Sequence, residues 1–388
     1  MQIITKELNG IQNEDLFSYL GKAEEILTLD VETCHLSKEE SHIYLIGCAF
    51  CSDHTWKLIQ WIDETGTEES DILTSFFLFV KKFKIILDYR GEEQFIPILK
   101  KKMNELGLYS ASHDEEITRS MKWVDLYSYV KPFRRILSLP DLKEQTVEKF
   151  FGTGRKENLS PKERDTMYQN FIANEDQSTN KNELLSKLLS QNEDDVVGVI
   201  AISNIFSYAD LFTSSLDVYK AQANTYRNAE GELSQELLLY ARVQTQKDST
   251  ASPSSFVLTA HAHSCYAALT GKTVTIKVPI FNGRIRYFYA NYKDYYYLPE
   301  LDQAVHKSIS DFVAKSRRVQ ATKETCYTTK VGSFLPEWSS FRTPLFKQEY
   351  GDKTAWFEFL EDMKKDKNFF SDYATYVYHH ILSCSKES

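Results

Sequence analysis

Two acidic groupings stand out as residues that could do chemistry. In the apolar run Ile26–Leu–Thr–Leu–Asp–Val–Glu32, the alternation of a strand places Asp30 and Glu32 on one face, with Val31 turned to the other. Farther along, Gln191–Asn–Glu–Asp–Asp195 precedes Val196, Val197, Val199, Ile200, Ile202 and Ile205, the spacing of a packed helix whose first turn is acidic. Hard carboxylate oxygens suit Mg²⁺ or Mn²⁺, and two such ions about 3.5–4 Å apart activate a water and stabilise the leaving oxygen of a phosphodiester. A plainer reading stands beside each grouping. Asp30 and Glu32 could end a solvated strand, and Asp194 and Asp195 could complement a helix dipole, worth about 0.3–1 kcal/mol each.

Other candidates are weaker. Cys48–Ala–Phe–Cys51 has the spacing of half a zinc site, but no second pair follows, and the six cysteines read as reduced thiols. His261 and His263 share a strand face without an acidic or cysteine partner nearby, which reads as a structural pair; His379 and His380 fall near the end of a terminal helix. Residues 271–330 hold eleven Lys or Arg against five Asp or Glu, with Arg284, Arg286 and Lys293 interleaved among tyrosines such as Tyr295. Aromatic rings stack on bases while cations follow the backbone, as on a platform for single strands; alternation also fits a plain hairpin core with a basic outer face.

The elements that must position these groups punctuate themselves. The 388 residues, 42% apolar and 26% charged, are globular values and suggest more than one domain. A net charge of −9 argues against a bulk nucleic-acid binder without excluding a local one. The absence of an apolar run near 20 residues, and a start at Met1–Gln12 without signal-peptide order, give the expectation of a cytoplasmic chain with no membrane contact. A helix is expected from Asn13 to Glu25, then strands at Ile26–Glu32, Ile43–Phe50 and Trp56–Ile62, the last two joined at hairpin spacing. A helix over Glu68–Lys82, a strand at Lys84–Asp88, a helix over Glu92–Leu106 and a strand at Lys122–Leu126 follow. Helices at Leu126–Leu137, Leu142–Phe151, Pro161–Ala173 and Glu183–Phe212 close the first half, with a loop at Asp176–Asn182. A strand–helix–strand crossover is right-handed and makes its strands parallel, so the sheet is mixed. The predicted class is α/β: a ribonuclease-H-like mixed five-stranded sheet flanked by helices over 1–212, then a smaller tyrosine-rich α+β domain over 213–388. In that second part Glu236–Val243 is left open between helix and strand, Gln246–Ser255 reads as a loop, and strands are expected at Ser255–His261, Thr273–Phe281, Arg284–Ala290 and Tyr292–Leu298. A tight turn at Asn282–Gly283 and helices at Pro299–Ser316 and Thr354–Leu382 complete the expectation.

Leu29–Asp–Val–Glu–Thr33 with Tyr44–Leu–Ile–Gly47, Val124–Asp–Leu–Tyr127 and Asn192–Glu–Asp–Asp–Val196 together resemble the YprB-type exonucleases, ribonuclease-H-like relatives of the 3′–5′ exonuclease superfamily with four acidic metal ligands. The resemblance covers about residues 20–212, and Asn291–Tyr–Lys–Asp–Tyr–Tyr–Tyr–Leu–Pro299 is similar to an extension that some members carry. It implies catalytic and metal-binding roles for Asp30, Glu32 and Asp195, Mg²⁺ or Mn²⁺ in a two-metal site, and single-stranded DNA or RNA as substrate. The family's middle motif falls on Tyr89–Arg–Gly–Glu–Glu–Gln–Phe95, where Phe95 replaces the metal-binding aspartate, and Gln191 replaces the histidine or tyrosine that would orient water. The implied site is therefore incomplete, with Asp88, Glu92, Glu93 or Asp194 as possible substitutes. Two functions follow as expectations: a metal-dependent 3′–5′ exonuclease of weak or lost activity, or a catalytically degenerate module that binds nucleic acid or protein.

Overall fold

A computed structural model describes residues 1–11, 19–36, 41–108, 121–156, 158–173, 179–227, 230–245 and 256–387. The chain divides into two compact units, the second beginning at Asp210. The calls on residues 12–18, 174–178 and 246–255, parts of the expected first helix and of two loops, lie outside the described residues.

The first unit is built on six strands, β1 (Gln2–Leu8), β2 (Ile26–Cys34), β3 (His42–Ser52), β4 (Thr55–Ile62), β5 (Ile85–Asp88) and β6 (Lys122–Asp125), in the order β1-β4-β3-β2-β5-β6. β1, β4, β3 and β2 pair antiparallel, while β5 and β6 run parallel to β2, so the five anticipated strands form the mixed sheet and β1 adds an edge. Helices α1 (Glu69–Val80), α2 (Gly91–Gln94), α3 (Ile96–Glu105), α4 (Leu126–Val130), α5 (Glu144–Phe150), α6 (Pro161–Ala173), α7 (Thr179–Ile202) and α8 (Ile205–Thr213) surround it. The period of two decides what each face of β2 meets. Leu27, Leu29 and Val31 enter one core with Ile72 and Phe76 of α1 and Leu99 of α3. On the opposite face Tyr44, Leu45 and Ile62 meet Tyr168 and Phe171 of α6 and Leu188 of α7, so Asp30 and Glu32 are aimed at the α6–α7 side.

Residues Asn180–Thr213 are long and apolar enough to cross a membrane by length and composition, contrary to the sequence expectation; here 67% of the most apolar window is buried within the protein. The second unit carries β7 (Leu216–Arg227), β8 (Leu233–Val243), β9 (Val257–Ala262), β10 (Cys265–Thr270), β11 (Thr273–Phe288), β12 (Tyr295–Leu298), β13 (Gln303–His306), β14 (Val319–Gln320), β15 (Tyr327–Glu337), β16 (Ala355–Glu358) and the terminal helix α9 (Lys367–Glu387). Several expectations are corrected here. Asn282–Gly283 is no turn: β11 runs through it, pairing Asn282 with Ser333 and Gly283 with Gly332 of β15, while Asn282 bonds the side chains of Gln235 and Ser333. Pro299–Ser316 is not an α-helix but β13 followed by 3-10 turns, and Thr354–Leu382 begins with β16 before α9. In both segments strand pairing, with β12 and with β15, outweighs local helix preference.

Candidate metal centre

Helix α7 starts at Thr179, so Gln191–Asp195 lies several turns inside it rather than in its first turn. A dipole complement acts only within the end turn, and it does not account for Asp195, which is 4% exposed. Asp30, Glu32 and Asp195 each offer a carboxylate oxygen, and these atoms all lie within 4.8 Å of one another. Close approach of β3 and α7 makes this possible. A Cβ at Gly47 would sit 2.0 Å from Asn192 Oδ1, and the absence of a side chain there lets the Asn192 amide donate to Asp30 Oδ2 at 2.8 Å while accepting from Gln60 Nε2 at 2.8 Å.

A second acidic trio shares Asp195. Glu144 and Glu148, one helical turn apart on α5, bring oxygens within 4.8 Å of each other and of Asp195. Glu148 fits against α7 because Gly198 leaves room, a Cβ there falling 1.9 Å from Glu148 Oε1. The sequence reading passed over this pair, since two acids four apart on a helix ordinarily mark a solvated face. The sequence around them offers only the apolar Val147 between the two acids, which the structure buries.

Two guanidinium groups answer these carboxylates. Arg155 pairs bidentately with Glu148, Nε to Oε2 at 2.7 Å and Nη2 to Oε1 at 2.5 Å, and its Nη1 donates to Asp195. Arg164 of α6 donates to Glu32 and, at 3.2 Å, to Asp195 Oδ2. Five acids face two guanidinium groups, and burial, with the neighbouring acids adding to it, makes Asp30, Glu32, Glu144 and Glu148 resist ionisation. Burial, then the charges of Asp195 and Glu32, hold Asp30 well above the usual carboxylate range, with Arg164 and the Asn192 amide pulling back. Burial pushes Glu32 up to about 7 against the pull of Arg164, with Asp195 adding to the rise. Burial and the charges of Asp195 and Glu148 raise Glu144; burial raises Glu148 against Arg155. The donor set thus fits a hard divalent cation: clustered carboxylate oxygens, buried, with negative charge left over.

The remaining site residues fall elsewhere. Phe95 packs into the core, where the family motif would place a ligand. Gln191 is 1% exposed, donates to Asp195 Oδ2 at 3.1 Å and accepts from the Leu159 backbone at 3.0 Å. Asp88 is not in either trio; its Oδ1 accepts from Gly91 N at 2.7 Å and its Oδ2 is buried without a hydrogen-bond partner. Burial, then the charge of Asp125 beside it, pushes Asp88 up to about 7. Asp194 turns to the Lys156 backbone amide at 2.7 Å. Glu92 and Glu93 join neither trio, and Glu93 pairs with Arg90. A cavity of about 510 Å³, of the size that holds a small ligand, opens on the cluster and is lined by Arg90, Lys143, Arg155, Arg164, Gln191 and Asp195 among others.

In the second unit Arg284 and Lys293 are exposed. Arg286 is engaged, bonding the Gln348 carbonyl at 2.7 Å and Glu349 at 2.6 Å and lying 4.8 Å above the Tyr327 ring. Tyr295 stacks on Tyr289 with centroids 4.5 Å apart and joins Tyr292 and Tyr297 around Ala304, Ala321 and Cys326, so these rings serve a small core of their own.

No curated protein matches the chain. A family model described as the RNase H superfamily matches residues 27–207, the stretch that contains all five clustered carboxylates.

Proposed function

We propose that the first unit is a divalent-metal-dependent phosphodiester hydrolase acting on nucleic acid, in the manner of the YprB-type 3′–5′ exonucleases that its motifs resemble. The observation that carries this reading is the convergence of Asp30, Glu32 and Asp195 from β2 and α7, with Glu32 and Asp195 buried and Asp30 half-buried. Asp30, Glu32 and Asp195 would hold a cation, Mg²⁺ or Mn²⁺ by the hardness of the donors. When bound, it supplies Lewis-acid polarisation of a phosphodiester and an acidified water. Arg155 is fixed as a permanent cation in the Glu144–Glu148–Asp195 trio, which favours one exchangeable ion over two. The cavity admits roughly a nucleotide, and the ammonium of Lys143, which lines it, would position the phosphate, while Arg90 is paired with Glu93. Gln191 carries an amide, which takes no proton, so hydrolysis proceeds without a side-chain base at that position and is slow. A single-stranded 3′ end suits such a cleft; in the second unit, taken by itself, Arg284 and Lys293 are exposed cations suited to a nucleic-acid backbone.

A second reading has its own observation. Phe95 in the core and Gln191 in a closed hydrogen-bond pair leave two family positions without chemistry, as in a nuclease fold kept for binding. Degradation of 5′-labelled single-stranded DNA and RNA in Mg²⁺ and Mn²⁺, beside Asp30→Asn, decides between them. The hydrolase reading expects cleavage that falls at least about 100-fold in the variant. Equal, background cleavage by both proteins, with affinity for single strands that weakens as salt rises, would establish the binding module instead.

A further inference from the structure

The second unit contains a different kind of donor cluster. The short turn between β9 and β10 places His263 on one side, and α9 carries His380 and Cys384 one turn apart on a single face. His263 Nδ1 lies 3.0 Å from His380 Nε2, Cys384 Sγ lies 3.5 Å from the same nitrogen, and one ligand atom from each residue falls within 4.8 Å of the others. A tetrahedral ion with bonds of about 2.0–2.1 Å to nitrogen and 2.3 Å to sulfur separates its ligands by roughly 3.3 Å for N···N and 3.6 Å for N···S. The two spacings to His380 lie within a few tenths of an ångström of these values, and the third, His263 to Cys384, is within 4.8 Å.

The surroundings orient the donors. Trp338 stacks on the His380 ring with centroids 3.8 Å apart and planes 3° from parallel, fixing the imidazole in the plane that faces His263. Three protein donors leave the fourth tetrahedral position to solvent or a small ligand, and a cavity of about 490 Å³, lined also by Ser264, Pro279, Pro336 and Trp356, borders His263.

We propose that His263, His380 and Cys384 form a Zn²⁺ site with one exchangeable position. Imidazole and thiolate select a borderline-soft, tetrahedral d¹⁰ ion and discriminate against Mg²⁺, so this site and the carboxylate cluster take different metals. Binding releases one proton, that of the Cys384 thiol, as the Zn–S bond forms.

The test uses tag-free, full-length protein stripped by chelator and titrated with Co²⁺ in excess Mg²⁺, which keeps the carboxylate cluster from contributing. One equivalent of Co²⁺ is expected to give a thiolate charge-transfer band and the intense visible absorption of a tetrahedral ion, both bleached by one equivalent of Zn²⁺. Cys384→Ser should abolish the charge-transfer band, and His263→Ala, an exposed turn position, should lower Co²⁺ affinity at least about tenfold. Absence of the band in the unaltered protein, or its survival in Cys384→Ser with unchanged Zn²⁺ competition, would overturn the proposal. Far-ultraviolet circular dichroism of His263→Ala separates loss of binding from loss of fold.

Discussion

The acid cluster of the first unit and the histidine–cysteine cluster of the second gather ion-binding atoms by opposite means. In the first, five carboxylates converge from β2, α5 and α7, and the half-buried Arg155 and Arg164 pair with them. In the second, imidazole and thiol donors come from a turn and one helix, His263 exposed and His380 and Cys384 half-buried, held by ring stacking rather than ion pairing. Like charges taken out of water must be neutralised within the fold, whereas neutral donors at the surface need no counter-ion. One site is therefore part of the fold's stability, and the other can be altered at little cost to it.

The largest test of that contrast is Arg155→Met. It leaves Glu148 buried without its guanidinium and Asp195 with Arg164 alone, and the expected loss is about 3–5 kcal/mol in urea denaturation, partly restored by Mg²⁺. A loss near that seen for His263→Ala, expected within about 0.5 kcal/mol, would break the comparison.

A smaller effect should appear where the first unit leaves a like-charged pair without a guanidinium. Asp88, pushed up to about 7, binds its proton more tightly in the folded chain than in the unfolded one. The folded state then holds more protons between the ordinary aspartate value near 3.9 and about pH 7, so stability present below that window is lost as pH rises through it. Asp88→Asn keeps an acceptor for the Gly91 amide and should flatten the decline measured by urea denaturation at pH 5 and pH 8. An undiminished decline would assign it to the Glu32 cluster instead.

The smallest effect is on the surface of the second unit. Arg284→Ala should weaken single-strand binding a few-fold and reduce the salt slope by about 0.7, the share of one phosphate contact. Arg286→Ala should leave the slope unchanged, because that guanidinium is already paired with Glu349.

Legibility followed the range of the interactions. Asp30 and Glu32 could be read from the two-residue period of a strand, because that pattern is local; Asp195 came from the resemblance, since the apolar spacing by itself suggests a first turn where α7 has its interior. Glu144, Glu148, Arg155 and Arg164 could not, since their roles exist only once α5, α6 and α7 are packed together. The same limit misled the reading of Asn282–Gly283. Its dipeptide signals a turn locally, but β15 offers a ladder on which Gly332 stands opposite Gly283, and the pairing prevails. β1, β7, β10 and β15 also went unanticipated, each defined more by its partner strand than by its composition.

The unbroken course of β11 has an evolutionary corollary. Its 16 residues span roughly 50 Å, pairing with β8 and β10 along the first part and with β15 along the rest. A single inserted or deleted residue near Asn282 would exchange the faces of everything after it, turning buried Ile285 outward and driving Arg284 and Arg286 inward. Drift in length is thus confined to the connections around this strand, while the strand itself can change only by substitution.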